Sequence, residues 1–437
     1  MRLRSNVIDQ GLIDLLSYLF KLPIVNLSNL NTLSMKQNYD IIIIGAGLSG
    51  LACAQKCSEN NKDFLLIEKS NRIGGRVGSV RNEKFIFDLG FQVYNTAYKT
   101  TNDLLKSKAD EFLPFLPGAK IISRNGSTII SDPMRNFSKT FHTIFSSAGT
   151  LNDKIKILTL KYRLSNYTLE LDDSEDMHTI DFLKLYGFSK KIIDNFFYPF
   201  FSGIFLEDRL ETSSKFFKYV FSNFNRGIAV IPKYGMQEIP DAIFSNIDSS
   251  HLLLNTEVTK LLPENNFETS NGRTLGYNRL VLTNESCSLV NQFNIKYNSV
   301  KTVYISTNRR FKDSSYIHLF PQDEIINNVA FVSSVSPNYA PSEKTLLSIS
   351  IISKSPINNM EQLLKEKMVT YFGGIASDYI LEKSMDTNRA TINQLPGFYT
   401  NIREQKGNTV LAGDHMINGS IEGAVVSGIK AYECTVK

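Results

Sequence analysis

Apolar positions along this chain first fall into a regular pattern at residue 39. Tyr39–Ile44 ends in four consecutive isoleucines, and a β-branched run of this kind predicts a parallel strand covered on both faces. From Gly47 to Glu59 the pattern becomes that of a helix with small residues, Ser49, Gly50, Ala52, Cys53 and Ala54, along one side. Asp63–Glu68 (DFLLIE) predicts a second buried strand, which completes a βαβ unit in about 30 residues. Residues 100–225 read mostly as helix and are rich in Phe, Tyr and Lys, with nine phenylalanines between Phe196 and Phe224. Strand patterns return at Leu252–Leu262, Arg279–Thr283 and Val300–Ser306, and residues 315–353 alternate as antiparallel strands do. Residues 357–373 repeat as a helix, Asn408–Asp414 reads as a strand running into a loop, and Ile421–Cys434 as a closing helix.

The fold class this predicts is α/β: a Rossmann-like dinucleotide-binding domain with a parallel sheet, interleaved with an α+β substrate domain. At 437 residues the chain exceeds one ordinary core, and no internal repeat or low-complexity linker divides it. The expected division is therefore discontinuous. Residues 1–38 form an N-terminal extension; 39–100, 225–290 and 395–437 build the dinucleotide domain; 101–224 and 291–394 build a substrate-binding or cap domain.

Charge and cysteines narrow the classes. The net charge is +5 without any Lys/Arg block, so a clustered basic face, and with it nucleic acid as a partner, is not expected. Cys53, Cys57, Cys287 and Cys434 form no C-x-x-C pair, which indicates neither a zinc site nor a redox dithiol and fits a reducing compartment. The stretch GLIDLLSYLFKLPIV (11–25) is too short for a membrane span and is interrupted by Asp14 and Lys21; it also lacks a secretory cleavage pattern. An amphipathic surface helix, a targeting extension, or sequence upstream of a start at Met35 all stay open for this region.

The first strand runs into GAGLSG, a G-x-G-x-x-G turn with a strand before it and a helix after it. Gly45 permits the tight turn, Gly47 lets a pyrophosphate approach the backbone, and Gly50 lets helix and strand pack closely. The helix N-terminus offers unpaired N–H groups and a partial positive charge to phosphate. Ala46, Leu48 and Ser49 share this turn as candidate cofactor-binding positions. Glu68, followed by Lys69, closes the next strand 23 residues after Gly45. A carboxylate there accepts hydrogen bonds from ribose hydroxyls and repels a 2′-phosphate, which disfavours NADP.

After Glu68 the chain reads KSNRIGGRVGSV, and here it resembles the flavin-dependent amine oxidase superfamily, which includes protoporphyrinogen oxidases and phytoene desaturases. The resemblance implies FAD, with Gly75 and Arg76 of a second glycine loop passing the dinucleotide. FIFDLGFQVYN (85–95) resembles the strand beside the flavin ring, where Gly90 permits close approach. LLLNTEVTKL (252–261) resembles the segment that holds adenine, through the backbone of Val258. LAGDHMINGSIEGAVVSGIKAYE (411–433) resembles the C-terminal flavin motif. There Gly413 and Asp414 meet the ribityl and pyrophosphate region, and a helix starting at Ile421, with Gly423 and Ala424 keeping the approach open, points at the flavin pyrimidine. Residues 196–240 resemble the desaturase-like branch, whose P-x-G-G-M stretch here reads PKYGM, with Tyr234 in place of a glycine.

A flavin oxidoreductase needs no nucleophilic triad or metal, and the five histidines show no metal-ligand spacing. His415, beside Asp414, is the one whose position suggests a polar group over the cofactor. No catalytic base is assigned. Amine oxidases of the superfamily often frame the amine with aromatic rings, yet INGS (417–420) has none. The phenylalanine cluster instead suggests either a helical core or a tunnel for a long apolar, isoprenoid-like substrate. The leading expectation is an FAD-dependent oxidoreductase that dehydrogenates a C–C or C–N bond of an organic substrate, with oxygen or a quinone as electron acceptor. An FAD-binding assembly factor without turnover and an NAD-binding dehydrogenase are the rivals. An apolar substrate implies peripheral membrane contact. Cytoplasmic, membrane-surface and organellar locations all remain open.

Overall fold

A computed structural model describes residues 36–123, 126–131, 148–290, 295–352, 359–400 and 407–437. The segment 11–25 and Met35 lie outside the described residues. Strand β1 (Asn38–Ile44), helix α1 (Leu48–Glu59) and strand β2 (Phe64–Ile67) form the expected βαβ unit. Ile41–Ile44 pair in parallel with Phe64–Ile67 on one side and with residues 279–282 on the other. All four isoleucines are consequently buried, as a central strand demands. The sheet continues in parallel to Leu252–Leu253 beyond β2, and Thr409–Ala412 joins Thr274–Thr283 near its C-terminal end. Two antiparallel strands, Asn266–Thr269 and Val258–Leu262, complete it. One face is covered by α1 and the closing helix Ile421–Thr435, which share a core that includes Cys53, Cys57, Val425 and Tyr432.

A second sheet runs in the order 380–392, 297–307, 345–351, 326–330, 317–319, 118–123 and 126–131. Its pairings are antiparallel except where Ile317–Leu319 runs parallel to residues 119–121. Two of its components depart from the sequence expectation. The mostly helical reading of 100–225 is interrupted by the hairpin Gly118–Ser123/Gly126–Ser131, because Ala119 and Ile121 alternate into the core as strand residues do. Ile380–Ile392 is a thirteen-residue strand at the sheet edge. Its polar sequence, LEKSMDTNRAT, hides it, since an edge strand needs only one covered face. Within the first sheet, the run Leu252–Leu262 splits into two strands. Asn255 between them has φ 52°, a left-handed conformation that asparagine tolerates and a continuous strand does not.

Between the sheets' chain segments lies a helical layer: α2 (Leu151–Arg163), Thr179–Leu185, α3 (Tyr198–Phe205) and α4 (Ser214–Arg226). Five phenylalanines, Phe197, Phe201, Phe205, Phe216 and Phe217, are buried in one core with tilted and edge-on ring contacts, while Phe196, Phe200, Phe221 and Phe224 are partly buried around it. Most of the cluster therefore fills a core. No helix among the described residues is long and apolar enough to cross a membrane.

Candidate functional site

The first glycine turn has a distinct constraint at each glycine. Gly45 has φ 101°, and a Cβ there would stand 2.1 Å from Thr283 Oγ1. A Cβ on Gly50 would stand 1.9 Å from the Gly45 carbonyl, so helix and turn touch at that point. Gly47 is different: its backbone is extended, and a Cβ would meet nothing within 4 Å. Space lies open over Gly47, at the N-cap of α1. That helix has no side-chain cap and no acid in its first turn, so its positive end carries no built-in anion.

The second glycine loop closes directly over this opening. The Gly74 N–H donates to the Ala46 carbonyl at 2.8 Å, Gly74 bridges to Gly47, and a Cβ on Gly75 (φ 59°) would lie 3.2 Å from Gly47 Cα. Glu68 is buried beside them. Its Oε2 accepts the Ala46 N–H at 2.8 Å and its Oε1 accepts the Ser70 N–H at 2.9 Å. Each carboxylate oxygen carries two lone pairs, so acceptor capacity remains for further hydroxyls. The Thr256 N–H donates to the Glu68 carbonyl, which places buried Val258 two residues from the acid's own backbone. Lys69 pairs with Glu285 at 2.7 Å and is largely exposed.

Arg76 links the N-terminal motifs to the C-terminal one. Its Nη2 donates to Asp414 Oδ1 at 2.6 Å, and its guanidinium lies over the Tyr297 ring, 5.7 Å from the centroid. Burial alone would lower the affinity of Arg76 for its proton, but the charge and hydrogen bond of Asp414 outweigh it, and the group sits above its ordinary value. Asp414, itself buried, also accepts from Asn284 Nδ2 at 3.2 Å and from the His415 N–H at 3.1 Å. His415 lies against Asn284 Oδ1 (3.3 Å) and Cys287 Sγ (3.7 Å), and burial lowers it to about 4 despite Asp414. Gly413 has φ 145° and its N–H donates to Ser427 Oγ; a Cβ there would strike Asn284.

Three buried polar atoms without a hydrogen-bond partner cluster around the segment that follows the second loop: Gln92 Oε1, Tyr297 Oη and Thr302 Oγ1. Gln92 donates its Nε2 to the Arg76 carbonyl, and Thr302 Oγ1 is the nearest atom to a Cβ built on Gly90 (φ 152°), at 3.9 Å. Buried polar groups are ordinarily satisfied. The open cradle over Gly47, the uncapped helix end and these orphaned atoms together suit a polar, pyrophosphate-bearing cofactor.

The closing helix meets the site at its N-terminal end. Ser420 caps it by accepting the Gly423 N–H at 2.9 Å, so one of the N–H groups expected to face the flavin is already taken. Ile421 opens the helix, and the Ala424 N–H donates to the Ser420 carbonyl at 3.0 Å. Glu422 turns to the helix Lys99–Leu105, accepting the N–H groups of Thr100 and Thr101. A Cβ on Gly428 would stand 2.0 Å from the Ser49 carbonyl, which locks this helix onto α1.

Sequence reasoning missed several residues here. Tyr219 of α4 brings its hydroxyl to 3.4 Å from Ser420 Oγ, and the half-buried Tyr98 lies beside the same pair. An aromatic ring thus stands next to INGS after all, supplied from a different element. Asp88, within FDLG, is a second. It accepts from Ser79 Oγ (2.6 Å), the Met236 N–H (2.9 Å) and Tyr339 Oη (2.8 Å), while its carbonyl accepts from Tyr304 Oη (2.9 Å). Burial holds this carboxyl above its ordinary value, against those hydrogen bonds. Asp88 thereby ties the Gly90 segment to the PKYGM stretch. In that stretch Gly235, not Tyr234, has the left-handed φ of 97°, so a side chain is accommodated at 234.

The family model for flavin containing amine oxidoreductases matches residues 48–372. The chain belongs to that family. Its cofactor is FAD, and the family is one of FAD-dependent oxidoreductases. This flavin amine oxidoreductase is similar to protoporphyrinogen oxidase 2 of Arabidopsis thaliana, 22% identical over 178 residues that cover 40% of this chain and 34% of that one. The chain spans between 13% and 34% of the length of such curated relatives. Its fold is similar to that of a putative protoporphyrinogen oxidase from Exiguobacterium sp., with TM-score 0.69, 15% identity and coverage of 91% and 98% of the two chains. It is also similar to cyclohexylamine oxidase from Brevibacterium oxydans, with TM-score 0.68, 17% identity and the same coverage. The α/β fold with its parallel dinucleotide sheet is that of the family.

Proposed function

We propose that this flavin amine oxidoreductase dehydrogenates or desaturates a C–C or C–N bond of an apolar organic substrate, isoprenoid-like in character. The observation that carries the cofactor's place is the closure of the Gly74–Gly75–Arg76 loop over open Gly47, with Arg76 reaching Asp414. When bound, FAD supplies at N5 an acceptor for the hydride of a C–H bond. In this reading the turn Gly45–Gly50 and the N-terminus of α1 hold the pyrophosphate, and Glu68 orients the adenosine ribose. Val258 presents its backbone to adenine. Arg76 and Asp414 fix the middle of the cofactor, and Gly90, Gln92, Tyr297 and Thr302 adjoin the ring. Residues 39–100, 225–290 and 395–437 serve as the FAD-binding domain; 101–224 and 291–394 cover the substrate.

The partly buried aromatic rings at the edge of the helical layer, with Tyr219 reaching Ser420, support an apolar substrate over a small charged amine. Peripheral contact with a membrane and an oxygen or quinone acceptor belong to the same reading. A flavoprotein without turnover would have been favoured by Tyr234 and by the missing ring in INGS. Tyr234 has an ordinary φ and Tyr219 stands beside Ser420, so neither departure supports it. The test is a visible spectrum of the purified protein under anaerobic titration. Flavin bands that bleach with an isoprenoid or a porphyrinogen, and not with amines, are expected. Bleaching by amines alone would overturn the substrate class, and a colourless protein that cannot be reconstituted would overturn the cofactor site.

A further inference from the structure

Helix α2 carries two apolar faces. Leu160, with Leu164 just past its end and Ile157 at its edge, packs into the phenylalanine core of the helical layer. On the opposite side Leu151, Ile155, Leu158 and Tyr162 are 62, 55, 45 and 82% exposed. Their spacing of four, three and four residues is that of one helical stripe, pointing directly away from the core. Exposed apolar residues scattered singly need no explanation, but an aligned ridge about 17 Å long does.

The ridge is bordered by cations on both sides. At 100° per residue Lys154 and Lys161 fall on one flank, Lys156 and Arg163 on the other. The one acid of the helix, Asp153, is buried, its carboxylate taken up by Thr150 and Ser189. Arg163 lies over the Tyr186 ring and Lys156 donates to the Gly187 carbonyl, and the preceding Leu185 is exposed at 77%.

We propose that α2 is a docking surface for an anionic lipid bilayer. It lies in the headgroup plane with the ridge entering the acyl boundary, Tyr162 at the interface, and the flanking lysines and arginine at the depth of the phosphates. Charge decides between this occupant and a second copy of the chain. A two-fold contact through α2 would set the same basic flanks against one another, whereas anionic headgroups complement both. The proposal draws on the substrate reading only for its use, since an apolar substrate would be collected from the bilayer next to the helical layer.

The test is flotation of the full-length, flavin-bearing protein with phosphatidylcholine vesicles, with and without about one third phosphatidylglycerol. Binding to the anionic vesicles at about 0.1 M salt is expected, weaker by at least about tenfold on phosphatidylcholine alone or at about 1 M salt. The triple variant Leu151→Asp, Ile155→Asp, Leu158→Asp changes only exposed side chains. It should keep the visible flavin spectrum and lose vesicle binding by at least about tenfold. Wild type that stays with the soluble fraction overturns the proposal, as does a variant that floats equally well. A wild-type dimer that the variant converts to monomer assigns the ridge to a second copy instead and overturns it too. Reduction of bound flavin by an apolar substrate in detergent requires no vesicle. Normal reduction without flotation removes the docking surface alone, and flotation without reduction removes the substrate reading alone.

Discussion

Gly47 and Gly50 are three residues apart in one motif, yet replacing each by alanine should damage different things. A Cβ on Gly50 stands 1.9 Å from the backbone oxygen of Gly45, an atom held by β1 and unable to retreat, so Gly50→Ala must pry α1 off the sheet. Overpacking of this kind costs about 1–3 kcal/mol or more. A Cβ on Gly47 meets nothing within 4 Å and the φ there is −71°, so Gly47→Ala leaves the flavin-free fold nearly untouched. Reduced freedom of the unfolded chain contributes about 0.4–1 kcal/mol in its favour, and the poorer N-cap offsets roughly as much. The cost should appear only with FAD. The methyl group occupies the closest approach of the pyrophosphate to the backbone, and losing one charge-assisted hydrogen bond, roughly 1.5–3 kcal/mol, weakens binding about 10- to 150-fold. The assay pairs two measurements on flavin-stripped protein: thermal unfolding by circular dichroism, and FAD titration followed by quenching of flavin fluorescence. Gly47→Ala should melt within about 4 °C of wild type while its titration shifts by one to two decades. Gly50→Ala should melt well below. Wild-type FAD affinity in Gly47→Ala would refute the placement of the pyrophosphate, and a normal melt for Gly50→Ala would refute the packing of the turn.

Three further outcomes are expected. Glu68→Ala should lower FAD affinity about 10- to 150-fold by removing a charged acceptor, and it also strips the buried Ala46 N–H of its partner; unchanged retention by spectrophotometry would remove Glu68 from the site. Asp88→Ala leaves the Met236 N–H and Tyr339 Oη buried without an acceptor, at about 1–3 kcal/mol each, and should lower the denaturant midpoint and loosen flavin together; a change in neither would show that the hub does not hold the Gly90 segment. His318 is buried between Phe331 and Phe372, and burial, with the charge of Lys120 adding, lowers it to about 4. Below its unfolded value of about 6.5 the unfolded chain takes up a proton that the folded chain refuses, so stability present above that pH drains away as pH falls toward about 4, by up to roughly 3 kcal/mol. His318→Phe should flatten this part of the pH dependence measured by urea unfolding; an identical slope in the variant would refute the assignment.

What the sequence displayed and what it hid follow from how far apart the contributing residues lie. The glycine turn, β1, α1 and β2 were legible because their constraints act within a few residues: a β-branched run, three glycines at fixed spacing, an acid at the end of the next strand. The contacts that join motif to motif were not. Arg76 and Asp414 are 338 positions apart, Tyr219 and Ser420 201, and Asp88 and Tyr339 251. No periodicity connects such pairs, because only the closing of the sheet brings the C-terminal strand Thr409–Ala412 beside Thr274–Thr283, the neighbour of β1. The absent aromatic in INGS illustrates the consequence. Judged within its own segment it argued against an amine-oxidase-like cage, whereas the fold supplies a tyrosine ring to that place from α4. A local departure from a family pattern is therefore weak evidence about a site assembled from distant pieces. The edge strand Ile380–Ile392 shows the same limit for the fold, since its polar face concealed a pairing with Tyr297–Thr307 that only the sheet reveals. That pairing bears on the site directly: Tyr297 and Thr302, two of the three residues with orphaned polar atoms near Arg76 and Gly90, sit on the partner strand and are held there by the edge strand beside them.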